Sequence, residues 1–335
     1  GDLFLVGGRD PLLRTPDFVN GLPNATPLYT SFTQLAAEVH AAGVTEITGG
    51  VVGDEGRYDS LRNVASWKPI YQAEGDVGPL SALDVDDGLI PANKAVTPAA
   101  PPPVQSAELM ASLLGAEGVK VDGAAGAAPA PAGSVAIASV VSPPLSSELA
   151  EILRESDDTA AELVTKELGY HAGTGGSTAA GTAMVRSVLA AHGLPVGQLV
   201  DSDGSGLSTD DRATCELIDR TLDLGGPAGA LARDLPVAAV SGTLHARLVG
   251  TPAAGRVTAK SGNLDGVDAL SGYVQPATGA GAPTGPMAAA LTFSFVVNNI
   301  ATASAGDSAE DNLALSLAGY PHLLPLALLS PAPPR

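Results

Sequence analysis

The stretch Arg256–Val274, RVTAKSGNLDGVDALSGYV, decides how this chain is read. It sets a lysine inside a strand-like run, directly before Ser-Gly, in a chain with only five lysines. Alternate side chains of a strand share a face. Val257, Ala259 and Ser261 therefore point one way, and Arg256, Thr258, Lys260 and Gly262 the other. Lysine forms strands poorly and is rarely buried without a partner. A glycine after Ser261 clears the strand's end, so that a ligand backbone can pair there. A cation, a hydroxyl and an open edge together make a receptor for the carboxylate of an extended peptide. The same three features equally describe a solvent-facing edge lysine that blocks aggregation, and the stretch alone does not choose.

Around it, GRVTAKSG (255–262), ALSGYV (269–274) and AALTFSFVVNN (289–299) read as three consecutive strands of an antiparallel meander, with a C-terminal helix over AEDNLALSLAG (309–319). Upstream, LSSELAEILRESDDTAAELVTKELG (145–169) reads as helical throughout, with Leu149, Ile152, Leu153, Ser156, Ala160, Leu163 and Val164 on one face. A serine on such a face ordinarily bonds a carbonyl one turn back, but Asp157 and Asp158 beside it are not what a plain core helix needs. HAGTGGS (171–177) lacks the lysine of a phosphate-binding loop and reads as a glycine-rich turn capped by Ser177, leading into a helix over 178–193. Ser208 and Asp211 form a capping box for the helix carrying Cys215, where the thiol is expected to be a small buried apolar group. The small residues Asp203, Gly204, Ser205 and Gly206 just before them point to a close backbone approach, by either a neighbouring segment or a substrate.

The N-terminal part reads as strand DLFLVGG (2–8), helix SFTQLAAEVHAAGV (31–44) with Ser31 as its N-cap, a glycine-broken strand EITGGVVGDE (46–55), helix QSAELMASLLGAEGV (105–119) and strand VAIASVVSPPL (135–145). A Pro/Ala loop spans 91–104, and the low-complexity run 123–134 is expected to be mobile. Asp84, Asp86 and Asp87 read as a solvated turn, with acid–base work as the alternative. A domain boundary is placed near residue 140. Helices followed by consecutive antiparallel strands give an α+β fold, an antiparallel sheet flanked by helices, beside an accessory α/β domain.

At 335 residues with 45% apolar content, the chain is long enough for two domains. A net charge of −19 repels phosphate backbones, so no nucleic-acid partner is expected. Scattered histidines and a single cysteine give neither a metal site nor a disulfide. No apolar run approaches the length of a membrane helix and no secretory leader is visible. The chain opens on GDLFLVGG in the middle of a strand-like pattern, and residues upstream of it are expected to be missing.

The order of the motifs carries a resemblance. GDLFLVGGRDPLL (1–13), GPLSALDVDDGL (78–89), SPPLSSELAEILRESDDTAAELV (142–164), DSDGSGLS (201–208), GTLHARLVGTPAAGRVTAKSGNLDGV (242–267) and ALSGYV (269–274) resemble, in order and over nearly the whole chain, the class C low-molecular-mass penicillin-binding proteins. These are the D-alanyl-D-alanine carboxypeptidase/endopeptidases of the penicillin-recognising serine transpeptidase fold, marked by S-x-x-K, S-x-N and K-[ST]-G motifs. The Ala/Gly/Pro-biased composition fits an actinobacterial member.

The resemblance implies an enzyme that cleaves peptidoglycan stem peptides through an acyl-enzyme, binds β-lactams, uses no cofactor and works in the cell envelope. It gives Ser156 and Lys260 the catalytic roles, and Ser261, Gly262, Asn263 and Asp158 the contacts to substrate, with Asp203–Gly206 as a wall of the site. An asparagine usually stands where Asp158 does. Ionised aspartate only accepts hydrogen bonds and adds a negative charge, which suits a cationic substrate group. No serine stands three residues before any lysine: Ala65, Pro91, Glu117, Leu163 and Val257 occupy those places. The nucleophile motif is therefore expected outside this chain, residues 1–140 being the inserted accessory domain and 141–335 the C-terminal part of the catalytic domain. A pseudoenzyme that binds wall peptide without cleaving it is the alternative.

Overall fold

The computed structural model describes residues 1–22, 28–89, 100–276 and 290–320. The chain forms two compact units, Gly1–Glu148 with Asp157–Val188 and Val200–Asp211, and Leu149–Ser156 with Leu189–Leu199 and everything from Arg212 on.

In the first unit, strands β1 (Leu3–Val6), β2 (Val51–Asp54) and β3 (Gly126–Ala127) pair in parallel in the order β1-β2-β3. Parallel strands need helical cover, supplied by α1 (Phe32–Ala41) and α2 (Pro102–Ala116). Ser31 Oγ caps α1 by accepting from Gln34 N at 3.2 Å, as expected. Phe32, Ala36 and Val39 of α1 and Ala107, Met110 and Leu114 of α2 follow helical spacing into one core with Leu5, Val51 and Leu83. The low-complexity run is ordered here, since it supplies β3. Most of the expected Pro/Ala loop, Lys94 included, lies outside the described residues.

Three expectations in this unit are corrected. VAIASVVSPPL enters no ladder among the described residues, and Val135 and Val141 are 84% and 85% exposed. Its pattern suits a strand, but it lines a cavity of about 960 Å³ together with Leu3–Val6 instead of pairing with the free edge of β1. Asp84, Asp86 and Asp87 are not a solvated turn. Asp86 accepts from Thr15 N at 2.6 Å and Thr15 Oγ1 at 2.9 Å, and Arg14 Nη2 reaches Asp87 at 3.2 Å. Asp84 is buried with neither oxygen partnered among the described residues, and burial beside Asp87 raises its pKa. Ser208 and Asp211 do not box a helix. Asp211 Oδ1 accepts from Ser202 N at 2.7 Å, closing the loop on itself.

The long helix also divides, into α3 (Leu145–Glu155) and α4 (Asp158–His171), followed by α5 (Thr178–Ala191). Asp157 is the N-cap of α4, accepting from Ala160 N at 2.8 Å and bonded by Arg14. Ser-Asp-Asp is helix-start chemistry, and it outweighs the continuous apolar stripe. Ser177 accepts from Ala180 N at 3.2 Å at the head of α5, as expected of a cap.

In the second unit, α6 (Cys215–Gly225) leads to the meander β4 (Val257–Leu264), β5 (Val267–Val274) and β6 (Leu291–Asn298), antiparallel in the order β6-β5-β4. Cys215 is exposed rather than buried, because the stripe that α6 buries starts at Leu217. Helix α7 (Ala303–Ala318) starts earlier than its apolar residues indicate. Val257, Ala259, Leu270, Val274 and Phe293 of the sheet pack with Ala314 and Ala318 of α7 and with Ala238, Leu244 and Leu248. Tyr273, fully buried, donates to Leu222 O of α6 at 2.7 Å.

Candidate functional site

The site lies in the second unit, along β4. Among the described strands, this one has a neighbour, β5, on one side only. On the other side, its start is covered: Ala238 N donates to Val257 O at 2.9 Å and Ala259 N to Pro236 O at 3.0 Å. Residues two apart in an antiparallel strand turn their N–H and C=O groups to the same side. The outward groups of Val257 and Ala259 are thus followed along that edge by those of Ser261 and Asn263.

Here the sequence-derived residues meet. Lys260 is half-buried and its Nζ donates to Ser156 Oγ at 2.7 Å and to Ser261 O at 2.7 Å. Ser156 joins α3 to α4 with φ +59°, a left-handed conformation that costs a side-chain-bearing residue about 1–2 kcal/mol. Such strain in a non-glycine residue is a pointer to function. Because an ammonium only donates, the Ser156 oxygen is engaged as an acceptor and its own proton is left to be directed elsewhere.

A cleft of about 350 Å³ opens beside this pair, lined by Ser156, Arg247, Ser261, Gly262, Asn263, Ala303 and Asp307. Four of the expected site residues, Ser156, Ser261, Gly262 and Asn263, line it, and Lys260 joins two of them. Asp158, the first residue of α4, and Asp203–Gly206 belong to the first unit.

The loop of Asp203–Gly206 is tied down from within its unit. Gly204 N and Ser205 N donate to Glu162 Oε1 at 2.6 and 2.9 Å, and Asp203 takes Trp67 Nε1 and Ser208 N, both at 2.7 Å. A Cβ on Gly204 would stand 1.9 Å from Thr165 Oγ1 of α4. A neighbouring segment thus accounts for that glycine. Burial, with Asp203 adding to it, pushes the Glu162 carboxyl up to about 7.

Three contributors were missed from the sequence. Thr243 Oγ1 shares a hydrogen bond with Ser261 Oγ at 3.2 Å. Arg247 lies against the cleft, its fork held by Asp311 Oδ1 at 2.7 Å and Glu310 Oε2 at 3.2 Å. Asp307 stands opposite it at 3.2 Å. Thr243 and Arg247 belong to the quoted GTLHARL segment, so the signal was present. Nothing in the polar run of α7 singles out Asp307. The described residues hold no group of histidine, cysteine and acidic side chains able to bind a metal.

A family model described as the D-Ala-D-Ala carboxypeptidase 3 (S13) family matches residues 1–106 and 95–320. A D-alanyl-D-alanine carboxypeptidase from an Actinomadura species is 30% identical over 402 aligned residues, covering 95% of this chain and 69% of the relative. Among solved structures, penicillin binding protein 4 from Haemophilus influenzae superposes with a TM-score of 0.75 at 18% identity, over 96% of this chain and 83% of that one. The same Haemophilus protein complexed with a novel β-lactam gives 0.68 at 19% identity, over 96% and 82%.

Proposed function

The chain belongs to the D-Ala-D-Ala carboxypeptidase 3 (S13) family, and from that premise we propose how its residues serve the reaction. The family and its relatives make it a D-Ala-D-Ala carboxypeptidase, a peptidase of the cell wall. The finer reading is that it cleaves the D-Ala-D-Ala bond of peptidoglycan stem peptides, or a crosslink, through an acyl-enzyme on a serine outside these 335 residues, and that β-lactams acylate that serine. No lysine here has a serine three residues before it. A relative of like fold has been solved with a β-lactam. We place the reaction outside the cytoplasm, where that substrate is; no described helix is long and apolar enough to cross a membrane. Residues 1–140 are taken as the accessory domain and 141–335 as the C-terminal part of the catalytic domain.

The observation that carries this reading is the 2.7 Å bond from Lys260 to Ser156 beside an open strand edge. A stem peptide laid along β4 pairs with the outward N–H and C=O of Ser261 and Asn263. Its terminal carboxylate meets the Lys260 ammonium and the Ser261 hydroxyl in charge-assisted bonds. The Asn263 N–H, facing the same edge, supplies one donor to the oxyanion of the tetrahedral intermediate. Lys260 holds the Ser156 oxygen, so the Ser156 proton is the one passed to the leaving amine. Asp158 adds negative charge close in sequence to Ser156 and favours a substrate carrying a free ammonium group.

The test is the intact mass of the full gene product, and of this chain, after incubation with excess penicillin. One adduct on the full product and none on this chain is expected. No adduct on either overturns the acyl-enzyme reading and leaves a wall-peptide-binding pseudoenzyme.

A further inference from the structure

Behind the cleft, two buried carboxyl groups outside the three motifs, one on β5 and one on α7, each keep an oxygen with no partner among the described residues. Asp268 of β5 is the cross-strand partner of Asn263, and its Oδ1 accepts from Asn263 Nδ2. Glu310 of α7 accepts both Nη groups of Arg247 on Oε2, at 3.2 Å each. Both acids are 1% exposed, and the second oxygen of each, Asp268 Oδ2 and Glu310 Oε1, has no partner among the described residues. Asp268 Oδ2 lies over Gly306, 1.6 Å from where a Cβ would be, and Glu310 projects from α7 one turn further on. The absence of a side chain at Gly306 is what lets the strand's acid reach the helix.

The charges around these carboxyl groups do not balance. Arg247 is the cation there, and Asp307 and Asp311 of α7 already draw on it at 3.2 and 2.7 Å. Asn263 on β4 is neutral. Two ionised carboxylates buried here would repel each other with two oxygens unsatisfied, an arrangement that proteins avoid by holding a proton. A single proton between Oδ2 and Oε1 satisfies both at once.

We propose that Asp268 and Glu310 share one proton and act as a positioning pair that joins α7 to the Asn263 and Arg247 walls of the cleft. Its bearing on catalysis rests on the reading above, in which the Asn263 N–H faces the oxyanion. The pair fixes the Asn263 side chain and with it the strand end from which that N–H points. Burial, against the pull of Arg247 and with the push of Asp268, raises the Glu310 carboxyl to about 7, which agrees with a retained proton.

Glu310 holds its proton to a higher pH in the folded protein than in the unfolded chain. Stability is therefore greatest at or below the unfolded value near 4.5, falls as pH rises toward 7, and stays reduced above it.

The experiment uses the full-length protein and the variants Glu310→Gln, Asp268→Asn and Asp268→Ala. Thermal midpoints and the Asn263 side-chain amide signal in NMR are followed from pH 5 to 9, together with the rate of acylation by penicillin. In the wild type the midpoint is expected to fall as pH rises from 5 to about 7 and to level off above, and the amide signal to shift around pH 7. Glu310→Gln, a permanently neutral stand-in, should abolish both changes. Asp268→Asn keeps an oxygen for Asn263 and should acylate like the wild type. Asp268→Ala should slow acylation by about tenfold, as small misplacements of reacting groups do. A Glu310→Gln protein whose midpoint and amide signal track pH as the wild type's do overturns the shared proton. Undiminished acylation in Asp268→Ala overturns the positioning role. The first two readouts need no acyl-enzyme. A protein that never acylates therefore sinks the acyl-enzyme reading and, with it, the bearing on catalysis, while the shared proton is still decided by the midpoint and the amide signal.

Discussion

Lys166 and Lys260 show how differently one side chain is used in the two units. The Lys166 side chain is 1% exposed on α4, and its Nζ is held by Asp59 Oδ1 at 2.5 Å and Leu61 O at 3.3 Å. That is a lysine neutralised for burial. Lys260 is half-buried on a strand, and two of its bonds go to neutral oxygens, Ser156 Oγ and Ser261 O. Those two bonds hold its ammonium between Ser156 and Ser261 at the cleft, whereas the Lys166 ammonium is turned onto a carboxylate inside its own unit. Where the ammonium is aimed separates a lysine that holds the fold from one that stands at the cleft.

Exchanging what each lysine supplies is the strongest way to break that contrast. Lys260→Ala in the full-length protein is expected to lower the rate of acylation by penicillin by a factor of about 100 or more, the scale of losing one preorganised electrostatic contact. Its thermal midpoint should stay close to the wild type's. Lys166→Ala should do the reverse, destabilising by about 3 kcal/mol because Asp59 loses its partner, with acylation at 25 °C retained by the folded fraction. If Lys260→Ala unfolds the protein, or Lys166→Ala abolishes acylation in folded protein, the division of roles is wrong. Gly204→Ala comes next. A methyl 1.9 Å from Thr165 Oγ1 forces the loop off α4 and should cost about 2 kcal/mol, as overpacking does. Thr165→Ala in the same chain should recover most of it. No loss in Gly204→Ala denies the close approach that explains this loop without a ligand.

What could be read from the sequence follows from which interactions are local. The β4–β5–β6 meander was legible because alternation along each strand and adjacency in the chain are sufficient to specify it. The Ser31 and Ser177 caps were legible for the same reason. The break at Ser156 was hidden by an apolar stripe that runs on across it, although Ser-Asp-Asp carried the opposing signal. VAIASVVSPPL had the alternation of a strand, but pairing is a property of two segments and only one was in view. The buried state of Asp86 and Asp87 depends on Thr15 and Arg14, about seventy residues away. No composition rule reaches that far. Of the cleft, the motif residues were legible through the resemblance, while Asp307, Asp268 and Glu310 owe their places to how α7 meets the sheet.

The smallest expected effect concerns a third ionisable group on the buried side of α4. Glu162 stands four residues before Lys166, is fully buried, and holds the Gly204 and Ser205 amides together with Thr178 Oγ1 at 3.2 Å. Unlike Lys166, it has no opposite charge bonded to it among the described residues, and burial beside Asp203 lifts its carboxyl to about 7. The folded protein therefore keeps this proton above the pH at which the unfolded chain releases it. Its contribution to stability is lost between the unfolded value near 4.5 and about 7, and stays lost above. Glu162→Gln retains an acceptor for both amides and removes the buried charge, but gives up the extra strength of charge-assisted bonds. The net result should be a gain of about 1 kcal/mol at pH 8, less than one pKa unit being worth after that loss is deducted. At pH 5 there should be little difference. Denaturant unfolding at the two pH values measures it. A variant less stable than the wild type at pH 8 would show that the Gly204 and Ser205 amides hold a carboxylate, and that a buried charge can be kept by neutral donors as firmly as Asp59 keeps Lys166.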